Sequence, residues 1–235
     1  MLKPIVVEMS KEITVSASKL ARLAHPEPCL RCFWLSVKVP KAEDYQIHAG
    51  ALQKIDQLAK RLVERSFFLH GKAPGWLPLD CDDRWSKIGR KDFTRDWGDG
   101  MTSSGIPDDV LQLTAGGWAI VDYKSGQFKV DSPWRDVYKA QVQIYSALRP
   151  TLAVKIVGIL YLQPVGKPID EQLSLPFDPV WDFLEANEDV VEPLVDTAKE
   201  CLAGPLPEAR DNCRTCAALD LRAHVVNEYG AVPVR

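Results

Sequence analysis

Two short runs of mostly apolar, strand-favouring residues, Asp109-Val110-Leu111-Gln112-Leu113 and Trp118-Ala119-Ile120-Val121, flank Thr114-Ala115-Gly116-Gly117. Such residues suit a pleated strand, and the paired glycines suit a tight reversal, so residues 105–124 predict a β-hairpin. Elsewhere the period is helical. Residues 16–23 predict a helix with Ser16 near its N-cap, halted by Pro26 and Pro28. Over 46–70, Ala51, Ile55, Leu58 and Leu62 recur at helical spacing, which predicts a long helix buried on that face and stopped by Gly71. Residues 133–148 predict another, opened by Pro133, closed before Pro150 and buried along Val137, Ile144 and Leu148. Residues 154–162 form an apolar, β-branched run expected as a central strand, with 172–177 as a further strand. Asp178-Pro179 is expected to open a helical stretch reaching Ala203, and 72–101, rich in Pro, Gly, Asp and Trp, to be irregular with a single strand.

Composition narrows the class. A chain of 235 residues, 46% hydrophobic and 26% charged, can bury a sizeable core, and one α/β domain spanning 1–235 is the expectation. No apolar run reaches eighteen residues and no signal-peptide pattern opens the chain, so a cytoplasmic protein without a membrane partner is expected. The net charge of -3 argues against non-specific coating of nucleic acid, an affinity that comes from Lys and Arg neutralising phosphates. It leaves room for a metal-centred enzyme with a local basic rim, for which Lys87, Arg90, Lys91 and Arg95, or Lys124, Lys129, Arg135 and Lys139, are candidates.

The hairpin carries chemistry. Side chains two apart on a strand share a face, so Asp122 and Lys124 project together while Tyr123 points away. With Asp108 opposite Asp122, two carboxylates and an amine would converge at one end of a sheet. Hard divalent cations take such oxygen ligands, and a lysine there can orient water or offset charge developing on a phosphate. Gln141 lies on the buried stripe of its helix between Tyr138 and Tyr145, where an amide needs partners, either in the site or on a nearby backbone carbonyl.

Pro107-Asp108 followed by Asp122-Tyr123-Lys124 resembles the signature of the PD-(D/E)XK nuclease superfamily. The wider setting, Gly105-x-x-Asp108, Val121-Asp122-Tyr123-Lys124 and then Gln141-x-x-x-Tyr145, is similar to the RecB-like exonuclease branch, which includes the AddB nuclease domain and the iron-sulfur nuclease of CRISPR adaptation. The resemblance implies a restriction-endonuclease-like α/β core, a mixed central sheet flanked by helices. It also implies a Mg²⁺- or Mn²⁺-dependent DNA nuclease, exonuclease before endonuclease, acting in recombination, repair or CRISPR-type processing. DNA and helicase or other repair or CRISPR proteins would be its partners. Asp108, Asp122 and the Tyr123 carbonyl would hold the metal, Lys124 would activate water, and Gln141 and Tyr145 would position the strand or the lysine. His48 is the match for a metal-approaching histidine in an upstream helix, but its flank lacks the glycine three residues before it, and a packing role is the alternative. A rival reading keeps the fold in a DNA-binding or partner-binding subunit that does not cut. A third needs only the cysteines, as a redox or regulatory protein.

Four of the six cysteines form two CxxC pairs, Cys29/Cys32 and Cys213/Cys216, near opposite ends of the chain. Together they supply four thiolates, enough for tetrahedral zinc or a 4Fe-4S cluster, and a shared centre would staple the terminal segments together. The RecB-like resemblance implies the cluster. The usual division there is one cysteine before the core and three after, whereas this chain divides two and two, with Arg222 where a last cysteine would fall. Cys81 and Cys201 read as buried or incidental thiols, and His224 as a spare ligand.

Overall fold

The computed structural model describes residues 12–39, 50–165 and 176–229. The chain begins with strand β1 (Ile13–Ser16), runs directly into α1 (Ala17–Ala21) and then through a 3-10 turn at Arg22–Ala24. Ser16 caps α1: its side chain accepts a hydrogen bond from the Lys19 amide at 3.3 Å. Helix α2 (Leu30–Lys38) carries the first CxxC pair at its start, and α3 (Gly50–His70) is the long helix.

Three short strands follow, β2 (Cys81–Arg84), β3 (Thr94–Asp96) and β4 (Met101–Ser104). The segment 72–101 is thus more ordered than its composition suggests, because β3 and β4 join β1 in a small sheet ordered β1-β4-β3. β1 pairs parallel to β4, with Ile13 opposite Met101, a partnership distant in sequence that no local pattern reports.

The predicted hairpin is β5 (Asp109–Leu113) and β6 (Trp118–Ser125), antiparallel, with Asp109 opposite Val121. Gly116 and Gly117 sit at φ +81° and +89° in the reversal, conformations that a side chain would strain. Helix α4 (Pro133–Ala147) then crosses over to β7 (Val154–Pro164), which pairs parallel to β6, and β8 (Phe177–Glu185) returns antiparallel to β7. The main sheet is ordered β2-β5-β6-β7-β8. Helices α5 (Glu192–Ala203) and α6 (Arg214–Tyr229) complete the described chain.

Two expectations are corrected. Residues 178–203 are not one helical stretch: 177–185 form β8, and α5 begins only at Glu192. Pro179 is tolerated because β8 is an edge strand, where one face of the ladder needs no donor. The ring of Phe183 packs over Gly158 of β7, where a Cβ would stand 2.5 Å from it. Of the strand expected at 172–177, only the last residues lie within the described chain, and Phe177 opens β8.

The buried face of α3 is also turned from the one expected. Ala59 and Val63 are buried with Ile55 and Phe67 packed beside them, whereas Leu58 and Leu62 are 47% and 56% exposed. An i, i+4 stripe of smaller residues lets the helix lie close against Val121 and Tyr123 on one face of the main sheet. On the other face α4 buries Val137, Ile144 and Leu148, as its period predicts, against Ile120, Val157 and Ile159. β6 is therefore covered on both sides, and its alternation sends Tyr123 toward α3 and Ile120 toward α4.

Candidate active site

The register Asp109 to Val121 brings Asp108, one residue before β5, beside Asp122 of β6. The Tyr123 amide donates to Asp108 Oδ2 at 2.7 Å, which ties the two strands at the point where both carboxylates stand. Asp122 is buried, 3% exposed. Its Oδ2 lies 2.5 Å from Lys124 Nζ without the alignment of a hydrogen bond, and it finds no other polar partner among the described residues.

Gln141 of α4 joins these groups. Its Nε2 donates to Asp122 Oδ1 at 3.3 Å and to the Tyr145 hydroxyl at 2.8 Å, while its Oε1 accepts from Lys124 Nζ at 3.1 Å. Gln141 and Tyr145 are one helical turn apart, so one face of α4 presents both to β6. The amide thus has partners, and they lie in the site. Tyr145 is held from behind by Gly105: a Cβ there would fall 2.5 Å from its ring, so glycine makes the close approach possible. Lys124 Nζ also sits 4.8 Å from the centre of the Tyr138 ring, a cation-π contact.

The electrostatics follow from burial and charge. Burial, with the neighbouring Asp122 carboxylate, pushes the Asp108 carboxyl up to about 7, although Lys60 and the Tyr123 amide pull the other way. Burial pulls the Lys124 ammonium down, but Asp122 more than compensates and its pKa is raised. Lys124 therefore holds its proton near neutrality. It offers a positive charge and a hydrogen-bond donor, and is not poised as a free base.

Four residues of this site, Asp56, Lys60, Arg84 and Asp109, carry no motif that singles them out in the sequence. Lys60 of α3 pairs with Asp108 Oδ1 at 2.6 Å and with Asp56, one turn earlier, at 2.9 Å. Asp109, adjacent to Asp108, is fully buried. It accepts from the Tyr123 hydroxyl at 2.6 Å and from Arg84 Nε at 3.0 Å, with a second Arg84 contact to the same oxygen. Asp108 and Asp109 therefore differ in kind, one facing the site and the other locked in a structural pair. The i, i+4 spacing of Asp56 and Lys60 was a legible signal, whereas the reach of Arg84 from β2 was not. His48 lies outside the described residues.

The two CxxC pairs meet. Cys29 and Cys216 sulfurs are 3.6 Å apart, Cys32 and Cys213 3.5 Å, Cys32 and Cys216 3.4 Å, and all four lie within 4.8 Å of one another. A tetrahedral ion with metal–sulfur bonds of about 2.3 Å places its sulfurs about 3.8 Å apart, so the four thiols fit a single ion. Their protons are unevenly held. Burial raises the Cys32 thiol, and burial raises Cys216 to about 11, whereas at Cys29 backbone hydrogen bonds from Arg210 and Cys32 outweigh burial and lower it to about 7. Cys81 and Cys201 are buried apart from this group, and His224, exposed on α6, faces Glu228 instead. No helix among the described residues is long and apolar enough to cross a membrane.

Three solved structures are similar to this chain at low identity. SSO0001 aligns with a TM-score of 0.47 at 12% identity, over 85% of this chain and 81% of its own. The alkaline exonuclease LHK-Exo from Laribacter hongkongensis aligns at 0.46 and 12%, over 92% and 94%. A phage-related exonuclease from Haemophilus somnus 129PT aligns at 0.41 and 14%, over 82% and 91%. No curated protein matches. A family model for the PD-(D/E)XK nuclease superfamily matches residues 19–221, a span that holds the hairpin, α4 and both cysteine pairs. With most of the chain inside that match, the protein belongs to the PD-(D/E)XK nuclease superfamily.

Proposed function

We propose that the protein is a divalent-metal-dependent deoxyribonuclease whose centre is Asp108, Asp122 and Lys124. The observation that carries this reading is the bridge made by Gln141, which binds the Asp122 carboxylate and the Lys124 ammonium through its two amide atoms. A buried acid and a half-buried amine held in register on one strand face form a preorganised centre, whereas scattered surface charges have no such support. The donor set suits Mg²⁺ or Mn²⁺: carboxylate oxygens from Asp108 and Asp122, including an Oδ2 with no aligned hydrogen bond, and the Tyr123 carbonyl from the strand between them. When bound, such an ion supplies Lewis acidity toward a phosphodiester and acidifies water.

The chain's own residues have distinct tasks. Asp108 and Asp122 gather positive charge at the end of the hairpin. Lys124 keeps a proton on Nζ and directs it toward water or a phosphate oxygen as negative charge develops there. Gln141 is a positioning residue, fixing Nζ and Oδ1 together, and Tyr145 fixes Gln141 in turn. The RecB-like pattern favours an exonuclease among nucleases, in recombination, repair or CRISPR-type processing.

For the cysteine site, sulfurs that all lie within 4.8 Å of one another, three of the pairs at 3.4 to 3.6 Å, support one tetrahedral ion, zinc, over the four-iron cluster that the resemblance implies, because a cubic cluster holds its thiolates further apart. Metal analysis with the visible spectrum of anaerobically purified protein separates the two. Incubation of the protein with linear single- and double-stranded DNA tests the main reading. Cleavage that needs Mg²⁺ or Mn²⁺ and stops with chelator is expected, and intact DNA under every divalent condition would overturn it.

A further inference from the structure

A cleft of about 750 Å³ opens beside the four cysteines, between the turn after α1, the start of α4 and the start of α6. Its charge is at odds with the chain as a whole. Arg22, Arg210, Arg214 and Arg222 line it against a single acid, Glu27, which is already paired with Arg210, although the protein carries a net charge of -3. Positive charge is thus concentrated where a concave wall focuses it.

The cleft also has an aromatic wall that leads out of it. His25 and Trp134 line the cleft with ring centres 5.8 Å apart, edge to face. Trp134 stands one turn of α4 before Tyr138, at 6.3 Å between rings, and Tyr138 lies under Lys124 Nζ. Trp134 remains 49% exposed, at a position where the core does not need it. A line of rings therefore joins the arginine-lined cleft to the amine of the candidate active site.

We infer that this cleft and the Trp134–Tyr138 face of α4 form a subsite for a single strand of DNA, binding the nucleotides beyond the one held at Lys124. Arginines match the phosphates, and the ring faces match unstacked bases, the combination that non-specific single-strand binding uses. A duplex does not expose base faces to such a wall, and a free phosphate is far smaller than the cleft. The inference rests on the nuclease reading for its direction, from the cleft toward Lys124, but binding can be measured without cleavage.

The test uses a fluorescent single strand of about twelve nucleotides, followed by anisotropy without added Mg²⁺ or Mn²⁺, with cleavage kinetics measured separately in Mg²⁺. Trp134→Ala is expected to weaken binding and raise KM on this strand about tenfold, while a dinucleotide, too short to reach Trp134, is cut as before. Arg214→Ala is expected to reduce the slope of log affinity against log salt by about 0.7, one phosphate contact on a single strand. Phe68→Ala, an 85% exposed aromatic on α3, serves as the control and should change neither. Unchanged affinity in Trp134→Ala, or an equal loss on the dinucleotide, would overturn the subsite. A wild-type protein that binds the strand in this Trp134-dependent way yet cuts no DNA would instead leave the subsite standing and remove the nuclease reading.

Discussion

Asp122 is 3% exposed, accepts from Gln141 on one oxygen and is ion-paired with Lys124 through the other, and that governs how its role can be tested. Replacing it with alanine would strip the Lys124 ammonium of its counter-charge and the Gln141 amide of one acceptor, so a loss of activity could follow from destabilisation alone. Asparagine keeps the shape and removes the charge. Lys124→Met likewise keeps the stem and removes the ammonium. Turnover under saturating metal is expected to fall by about two orders of magnitude or more in Lys124→Met, with cation affinity near that of the wild type. Full turnover in that variant would remove the lysine from the mechanism. Asp108 adds a pH dependence. With its carboxyl pushed up to about 7, protons compete with the cation for the same oxygens. Mn²⁺ affinity, followed by calorimetry, should be level above that pH and fall by up to about tenfold per unit below it, and Asp108→Asn should flatten the slope. A wild-type affinity that ignores pH between about 5 and 7 would contradict the raised carboxyl.

The elements show how far local pattern reaches. The hairpin was legible because it is local: two strands, two glycines and a register that brings Asp108 to Asp122. Helix α4 was legible because its period and its flanking prolines agree. In α3, Leu58 and Leu62 outweigh Ala59 and Val63 in hydrophobicity and so mark the stripe that periodicity predicts, whereas closeness to β6 selects the smaller pair. Val63→Ala is accordingly expected to cost about 1 to 3 kcal/mol in urea unfolding, and Leu62→Ala less than about 0.5 kcal/mol. Reversal of that order would restore the leucine face. Asp178-Pro179 predicts a helix start, but the same dipeptide is accepted in the edge strand β8. Gly105 links element to site. Gly105→Ala must displace the Tyr145 ring, and the expected result is reduced activity with a modest loss of melting temperature, because Gln141 loses its support. Activity that survives intact would mean that Gln141 holds Lys124 without Tyr145.

Across the whole molecule, the cysteine group joins α2 to the start of α6, and other contacts run the same way. Arg31 pairs with Asp220 at 3.0 Å, and Trp34 Nε1 donates to the Gly204 carbonyl at 3.2 Å. The two CxxC spacings announced a shared site, but the companions that brace it come from distant parts of the chain and have no sequence signature. Cys32→Ser is expected to lose the bound metal and lower the melting temperature well beyond Cys201→Ser, which should retain one metal per chain. Equal metal content in both variants would separate the four thiols from metal binding.

The adjacent acids Asp108 and Asp109 offer the most direct test of the active-site assignment, since one faces Asp122 and Lys60 while the other is locked to Arg84 and Tyr123. The measurement is Mg²⁺-dependent cleavage of end-labelled DNA per folded molecule, for Asp108→Asn and Asp109→Asn side by side with thermal unfolding of each. Asp108→Asn is expected to fold and not to cut, and Asp109→Asn to be destabilised by about 3 to 5 kcal/mol yet still to cut in proportion to the protein that folds. Full cleavage by Asp108→Asn, or its loss in a stably folded Asp109→Asn, would contradict the assignment.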